Sequence, residues 1–577
     1  MTYRYLIRTE RDKTVKKPVV LSILPAVLIL SGALAQPHPR PAQPTPEQIA
    51  WHEMEIEMFI HFAPNTWQNR DYDDHSTSLS KINPTQLDTD QWCEVARSFD
   101  AKQIVFVAKH VGGFCMWQTD TTEYSIKNTP YKNGKGDVAA ELAKSCKKYG
   151  LKLGMYVYPG DAQWGADIGS GGRTKDPAKQ EAYNKVFRRQ LTEVLTKYGE
   201  ISEVWFDGSC VIEVGDILRR HAPQAMVFQG PHATLRWPGS ESGIAPYPTW
   251  QTVKKQDAIT GVSTGKHSDP DGDVWLPMEM DTTLLDHAWF WGPDRDHMLK
   301  SLDQLMNIYY GSVGRGCVLL LNATPDITGR IPASHVKRYR EFGEAIRRIY
   351  QNEKGRMSGT GRLLELRFDR PTPINHIITM EDIRYGHIVR AYEIEGLIQG
   401  TWTKLTSGIS VGHKKIDVID TVRVAGVRLH VTEAVGTPII RSFAVYEVLT
   451  HGNAGVDNCR QENRWQEVAG WKAVRLTAQW QILDIDLTSY IPSPGQYELE
   501  FRQTGGSGTL EVQDALVVMA GTESSHLIAK LNRSHAWNIN RTAQVTTGPR
   551  GRTALRVKVR ATGDSPWKGA LYIRGSD

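Results

Sequence analysis

The 577-residue sequence predicts a (β/α)8-like barrel followed by two β-sandwich domains. Three observations carry that expectation. From about residue 50 to Tyr350, near-continuous apolar runs alternate with helical patterns, as strands buried on both faces of a parallel sheet require. About seven such runs fit into roughly 300 residues with no G-x-G-x-x-G after the first, which favours a barrel over an open doubly wound sheet. Beyond Gly355 the texture changes to short alternating runs separated by turn formers, the pattern of antiparallel sandwiches.

The first element reads as an export signal. Arg4, Arg8, Arg11, Lys13, Lys16 and Lys17 face only Glu10 and Asp12, and the apolar stretch Val19–Leu30 and Ala33-Leu34-Ala35 follow. A positive n-region, a short h-region and an A-x-A site define a signal peptide over residues 1–35. The stretch is short for a span and is interrupted by Pro25. A secreted or periplasmic protein is expected, with no membrane span after cleavage. Most of the net charge of +5 lies in this segment, so the remainder is nearly neutral. Nucleic acid and anionic membrane therefore drop out as expected partners. The Pro-rich residues 36–48 read as a linker.

Within 49–352, the barrel, strands are expected at Glu57–Phe62, Gln103–Lys109, Leu151–Tyr158, Glu203–Asp207, Ala225–Gln229, Val274–Glu279 and Val318–Leu321. A helix is expected over Asp137–Tyr149, where Val138, Leu142, Ala143 and Cys146 share a face and Gly150 supplies the stop. Gln180–Tyr198 and Arg295–Tyr310 follow similar spacing. Residues 353–449, with Leu363–Phe368, Val389–Ile394 and Val422–Val431, read as one sandwich. A linker over 450–464 leads to a second sandwich over 465–577, with strands at Gln496–Arg502, Thr509–Asp514, Ala515–Met519 and Thr553–Val559. The six cysteines are scattered without C-x-x-C or Cys/His ligand spacing, and several read as small buried hydrophobes; no structural metal is expected.

In a parallel barrel, polar residues at the C-terminal ends of different strands converge on one mouth. His61, Lys109 and His110, and Asp207 each end an apolar run in this way. Asp207, in Trp205-Phe206-Asp207-Gly208, is the strongest candidate: a carboxylate after an aromatic pair and before a glycine, able to serve as nucleophile, metal ligand or base. The single His in His61-Phe62-Ala63 argues against a barrel metal site, which would typically open with His-x-His. Seventeen Trp and 21 Tyr point instead to a sugar, because flat rings stack on the apolar face of a pyranose. Glycoside hydrolysis needs two carboxyl groups with different tasks. Glu241, in the Gly-rich loop Arg236–Gly243, is the best partner for Asp207, and Glu279 competes from the end of the sixth expected strand.

These residues resemble the α-L-fucosidases of glycoside hydrolase family 29, from about Trp51 to Ala333. The likeness is carried in order by Met58-Phe59-Ile60-His61-Phe62, the run Ala108–Trp117, Val204–Gly208, Trp289-Phe290-Trp291 and Leu319–Asp326. It implies a retaining hydrolase of terminal α-L-fucose that acts on fucosylated glycans without metal or organic cofactor. It implies Asp207 as nucleophile, with His61, His110, Trp205 and Trp291 lining the fucose pocket and Arg236 reaching the sugar or a carboxylate. The Glu241 loop looks like that of the branch selective for α-1,3/1,4 linkages, which implies Glu241 as acid/base. Where the family often has a second His and an Asp after its Lys-His pair, this chain has Val111 and Gly112. Where many members have an acidic residue before Trp after the first strand, it has Asp71-Tyr72, so Asp71 is a candidate binder. The C-terminal region resembles the discoidin-like sandwiches often appended to such enzymes. These departures leave two alternatives open: a glycan-binding protein on a catalytically silent barrel, or an exo-glycosidase for a related sugar such as α-L-galactose.

Overall fold

A computed structural model of the protein describes residues 41–258 and 268–449, and a set of strands between 466 and 576. The expected signal peptide and the linker over 450–464 lie outside the described residues. The chain enters through a helix, Pro46–His52, so the end of the expected Pro-rich linker is ordered structure. Thr45 caps this helix in a capping box with Gln48. That pairing is sequence-local and outweighs the composition of the segment.

Seven parallel strands form one curled sheet: β1 (Ile56–Ile60), β2 (Gln103–Lys109), β3 (Lys152–Val157), β4 (Glu203–Trp205), β5 (Met226–Phe228), β6 (Glu279–Thr283) and β7 (Val318–Ala323). Their spatial order is β5-β4-β3-β2-β1-β7-β6. Between the edge strands, single parallel bridges run from Phe228 to Leu235 and from Arg236 to Met278. The architecture is therefore of the TIM-barrel kind. One core lies between sheet and helices and includes Trp92, Phe106, Phe187 and Leu319. A second fills the interior of the sheet with Phe59, Val107, Tyr156, Trp205, Phe228 and Leu320.

The helix expected from 137 runs from Val138 to Tyr149, capped by the Asp137 side chain and closed by Gly150 at φ 69°. Two expectations need correction. Val274–Glu279 is not one strand: Val274–Trp275 pairs antiparallel with Thr252–Val253, and β6 begins only at Glu279. Pro277 between them has no N–H to give to a ladder. Likewise Arg295–Tyr310 divides into a short 3-10 turn, Asp296–Met298, and a helix, Leu302–Gly311. A capping box of Ser301 with Gln304 restarts the chain there.

After the helix Ala333–Gln351 the chain forms a six-stranded antiparallel sheet. Its strands are β8 (Glu353–Thr360), β9 (Leu363–Glu381), β10 (Val389–Ile398), β11 (Thr401–Gly408), β12 (Lys415–Ala434) and β13 (Ile439–Tyr446), in the order β8-β13-β9-β12-β10-β11. The 19- and 20-residue strands β9 and β12 bend at register shifts between Arg367 and Thr372 and between Ile374 and His376. Ile377, Ile394, Val427, Leu429 and Phe443 share its core.

This sheet docks on the barrel through buried polar contacts. Lys414 Nζ and His413 Nε2 bond the Glu55 carboxylate at 2.6 and 3.2 Å, and Gln251 N donates to His387 Nε2 at 3.0 Å. Further on, two four-stranded antiparallel sheets are described. One holds Gln466–Glu467, Lys568–Ser576, Gly495–Gly505 and Asn538–Val545; the other holds Gln481–Asp486, Thr553–Thr562, Thr509–Met519 and Ser525–Ala529. The two strands expected at 509–514 and 515–519 are one, with a register shift between Gln513 and Leu516.

Candidate active site

The C-terminal ends of the parallel strands bring His61 (after β1), His110 (after β2), Tyr156 (late in β3) and Asp207 (after β4) to one mouth. Asp207 is the hub. Tyr156 Oη donates to Asp207 Oδ2 at 2.9 Å. Burial raises the carboxyl's pKa and the Glu241 charge adds to that, whereas the Tyr156 and Gly208 hydrogen bonds oppose it.

His61 and His110 form the wall beside it, with ring centroids 6.2 Å apart. His61 Nδ1 donates to Asn322 Oδ1 at 2.7 Å, while the Asn322 amide nitrogen donates to Trp289 O at 2.9 Å. Burial and the neighbouring His110 hold His61 well below the usual imidazole pKa, so it is neutral at pH 7 and Nε2 is an acceptor. The His110 ring stacks parallel to Tyr156 at 5.9 Å, and burial pulls its pKa down to about 4 against the opposing charge of Asp73. Below it, Lys109 is fully buried in a 3.1 Å ion pair with Asp161, and its ammonium donates to Tyr183 Oη at 3.1 Å. This pair anchors the backbone that presents His110.

Glu241 is exposed on its loop, and Trp289 Nε1 donates to Glu241 Oε2 at 3.1 Å. The loop is tied to β6 at two points, the Ser242–Thr282 bridge and Trp237 Nε1 donating to Asp281 Oδ1 at 2.8 Å, and to the residue before it by the Arg236–Met278 bridge. Asp71 accepts from Trp289 N at 3.2 Å, so it holds the aromatic segment that in turn holds Glu241. Tyr72 is exposed at the same mouth, and the charges of Asp207, Glu241 and Asp71 all add to the burial that raises its pKa.

Several expected roles change. Trp289 touches the site: its ring lies 4.9 Å from His61 and its N–H meets Glu241; Trp291 is half-buried two residues on. Trp205 is only 3% exposed, stacked 3.5 Å from Phe228 with its indole N–H donated to Glu279 at 2.7 Å, so it underlies the pocket as a floor. Arg236 reaches no carboxylate among the described residues. It is buried, its Nε and Nη2 donate to the carbonyls of Leu276 and Trp250 at 2.8 and 2.9 Å, and burial lowers its pKa to about 9. Glu279 does not stand at a strand's end: it opens β6 and is fully buried beside Glu57 and Glu203, inside the barrel.

Two carboxylates went unnoticed in the sequence. Asp281, two residues along β6 from Glu279, is buried near the mouth; burial, then the Glu241 and Asp207 charges, raise its pKa well above the carboxylate range. Strand periodicity could have found it once the start of β6 was known. Asp73 accepts from Gln68 Nε2 at 2.7 Å and from Tyr124 Oη at 2.8 Å. It fills the space beside Gly112, where a Cβ would lie 2.2 Å from Asp73 Oδ2. The glycine at this departure from the family pattern is thus matched by a carboxylate from another loop. The five described cysteines, Cys93, Cys115, Cys146, Cys210 and Cys317, are free and buried.

With this geometry in hand, likeness to known proteins is informative. The family model for α-L-fucosidase matches residues 41–349. The chain is 30% identical over 468 residues to α-L-fucosidase 1 of Arabidopsis thaliana, covering 72% of this chain and 90% of the plant protein. A solved structure from Bacteroides thetaiotaomicron assigned to the α-L-fucosidases superimposes with a TM-score of 0.67 at 32% identity, covering 71% of this chain and all of that one. A glycoside hydrolase 29 family member from an unknown rumen bacterium gives 0.66 at 27% identity, over 91% of this chain and 97% of its own. Fold, site and relatives define a glycoside hydrolase. Within that class the chain belongs to the α-L-fucosidase family.

Proposed function

We propose that the protein is a retaining exo-α-L-fucosidase acting on fucosylated oligosaccharides or glycoconjugates, with preference for α-1,3/1,4 linkages. The observation that carries the reading is the pairing of Asp207, rooted on β4 and bonded by Tyr156, with Glu241, exposed on a neighbouring loop and bonded by Trp289. One carboxyl is fixed and desolvated, and the other is accessible.

In the first step Asp207 attacks the anomeric carbon while protonated Glu241 donates to the departing glycosidic oxygen. In the second, Glu241 takes a proton from water, which displaces the sugar from Asp207 with net retention. Neutral His61 offers an acceptor to a sugar hydroxyl, and Trp289 and Tyr72 supply faces for the pyranose. The two carboxyl groups and water suffice for the chemistry, and no metal or organic cofactor enters it. The signal-like residues 1–35 support export, to the periplasm or outside the cell, where glycans are met. The six-stranded sheet and the two C-terminal sheets are read as a discoidin-like sandwich and a second sandwich, bracing the barrel.

The test is incubation with fucosylated oligosaccharides of defined linkage and analysis of the released monosaccharide. Free L-fucose from α-1,3/1,4-linked substrates is expected. Binding without release would favour the silent barrel, and no fucose from these substrates but free L-galactose from the matching α-L-galactosides would favour the related-sugar reading.

A further inference from the structure

Beneath the mouth lies a second carboxylate group that the reaction does not use. Glu57 of β1, Glu203 of β4 and Glu279 of β6 are each fully buried, and one oxygen from each lies within 4.8 Å of the others. Glu203 Oε2 accepts from Trp51 Nε1 at 3.2 Å and from Gln103 Nε2 at 2.8 Å; Glu279 Oε2 accepts from Trp205 Nε1 at 2.7 Å. The other four oxygens, both of Glu57 and Oε1 of Glu203 and Glu279, meet no N–H or O–H donor among the described residues. Gln103 is itself held by the Ser202 hydroxyl. The next titratable group along the strand is Asp281, another acid, which supplies no counter-charge.

Three bare carboxylates at this spacing in the buried interior of the barrel are untenable: like charges repel strongly at low dielectric, and each unpaired buried oxygen carries a desolvation cost. Two protons resolve both problems, because each turns a bare acceptor into a donor aimed at a neighbouring one. We propose that Glu57, Glu203 and Glu279 form a hydrogen-bonded triad that holds two protons and one negative charge, and that Glu279 thereby positions Trp205 beneath Asp207. Glu203, with two N–H donors on one oxygen, keeps the charge; Glu57 and Glu279 carry the protons. Trp205 stands two residues before Asp207 and stacks 5.8 Å from Tyr156, the residue bonded to Asp207. The triad is thus a positioning device for the nucleophile, and that part of the proposal rests on the role given to Asp207 above.

Glutamine copies a protonated glutamate but not an ionised one, and this separates the three residues. Melting temperature is read from pH 5 to 9 for the full-length wild type and for Glu57→Gln, Glu57→Ala and Glu203→Gln. The wild type should lose stability as pH rises, Glu57→Gln should hold its melting temperature at alkaline pH about 2–4 °C above the wild type, and Glu57→Ala and Glu203→Gln should melt lower throughout. Metal content of the same protein, by mass spectrometry, should show no stoichiometric divalent ion. A bound ion whose removal by EDTA lowers the melting temperature, or Glu57→Gln melting as low as Glu57→Ala, would overturn the triad. For positioning, Glu279→Leu should lower kcat about tenfold or more with KM little changed, and Glu279→Gln should restore it. Equal kcat in both would overturn that role. The melting data do not depend on Asp207, so a failure of the catalytic reading alone would leave them standing.

Discussion

Trp289 Nε1 donates to Glu241 Oε2 at 3.1 Å, and the same residue's backbone N–H is fixed by Asp71 while its carbonyl is fixed by Asn322. A single aromatic residue therefore joins the wall around His61 to the exposed carboxyl of Glu241. Trp289→Phe keeps a ring over His61 but removes the N–H. It should lower kcat about tenfold or more on oligosaccharides, where the leaving group needs a proton. On an aryl fucoside with a good leaving group the loss should be much smaller. Equal losses on both substrates would show that Trp289 does not act through Glu241.

Tyr156→Phe tests the other carboxyl. Without the 2.9 Å hydrogen bond, the ionised form of Asp207 loses its main opposing support against burial, so its pKa should rise. The acid limb of the kcat/KM profile should move to higher pH, and turnover at pH 5 should fall more than turnover at pH 7. An unmoved acid limb would mean that another group sets it.

Gly112→Ala places a Cβ 2.2 Å from Asp73 Oδ2, so Asp73 must leave its bonds to Gln68 and Tyr124. A loss of about 1–3 kcal/mol in unfolding free energy is expected, in the range of an overpacked site. Asp73→Gly in the same chain should recover part of it. Denaturant melts of the three proteins decide the matter.

Acid should weaken the seat of the six-stranded sheet. Glu55, pulled down to about 2 chiefly by Lys414 against the cost of burial, is stabilising above the free glutamate pKa, and that contribution fades as pH falls toward 2. His52, His387 and His413 are held below the usual imidazole pKa by burial, so protonation on acidification also opposes the fold. Both effects have the same sign. The melting temperature should fall as pH drops below about 4.5 toward 2, and Glu55→Gln should be less stable than wild type at pH 7 and differ little from it near pH 2.

What the sequence revealed follows from how local each signal is. Asp207, His61 and His110 were legible because each ends an apolar run, and strand ends in a parallel barrel share a mouth. The Asp137–Gly150 helix was legible because its cap and its stop are contiguous with it. By contrast, Pro277 moved β6 by several residues, which shifted Glu279 from the mouth to the interior and hid Asp281. Trp289 and Trp291 share a motif, and only the path of the loop decides which ring meets His61. Arg236 looked like an anion ligand in one dimension but spends its donors on two carbonyls brought from forty and fourteen residues away. Asp73 fills the gap left at Gly112 through a contact with no trace in the spacing of either motif.

The central claim is that Asp207 becomes covalently joined to fucose. The most direct test is to inactivate the protein with a 2-deoxy-2-fluoro-fucosyl fluoride, whose adduct forms faster than it hydrolyses, and to locate the added mass by peptide sequencing in the mass spectrometer. The account predicts one fluorofucosyl group per chain, on Asp207. Labelling of another carboxylate such as Asp281, or steady turnover with no adduct in an active preparation, would contradict it.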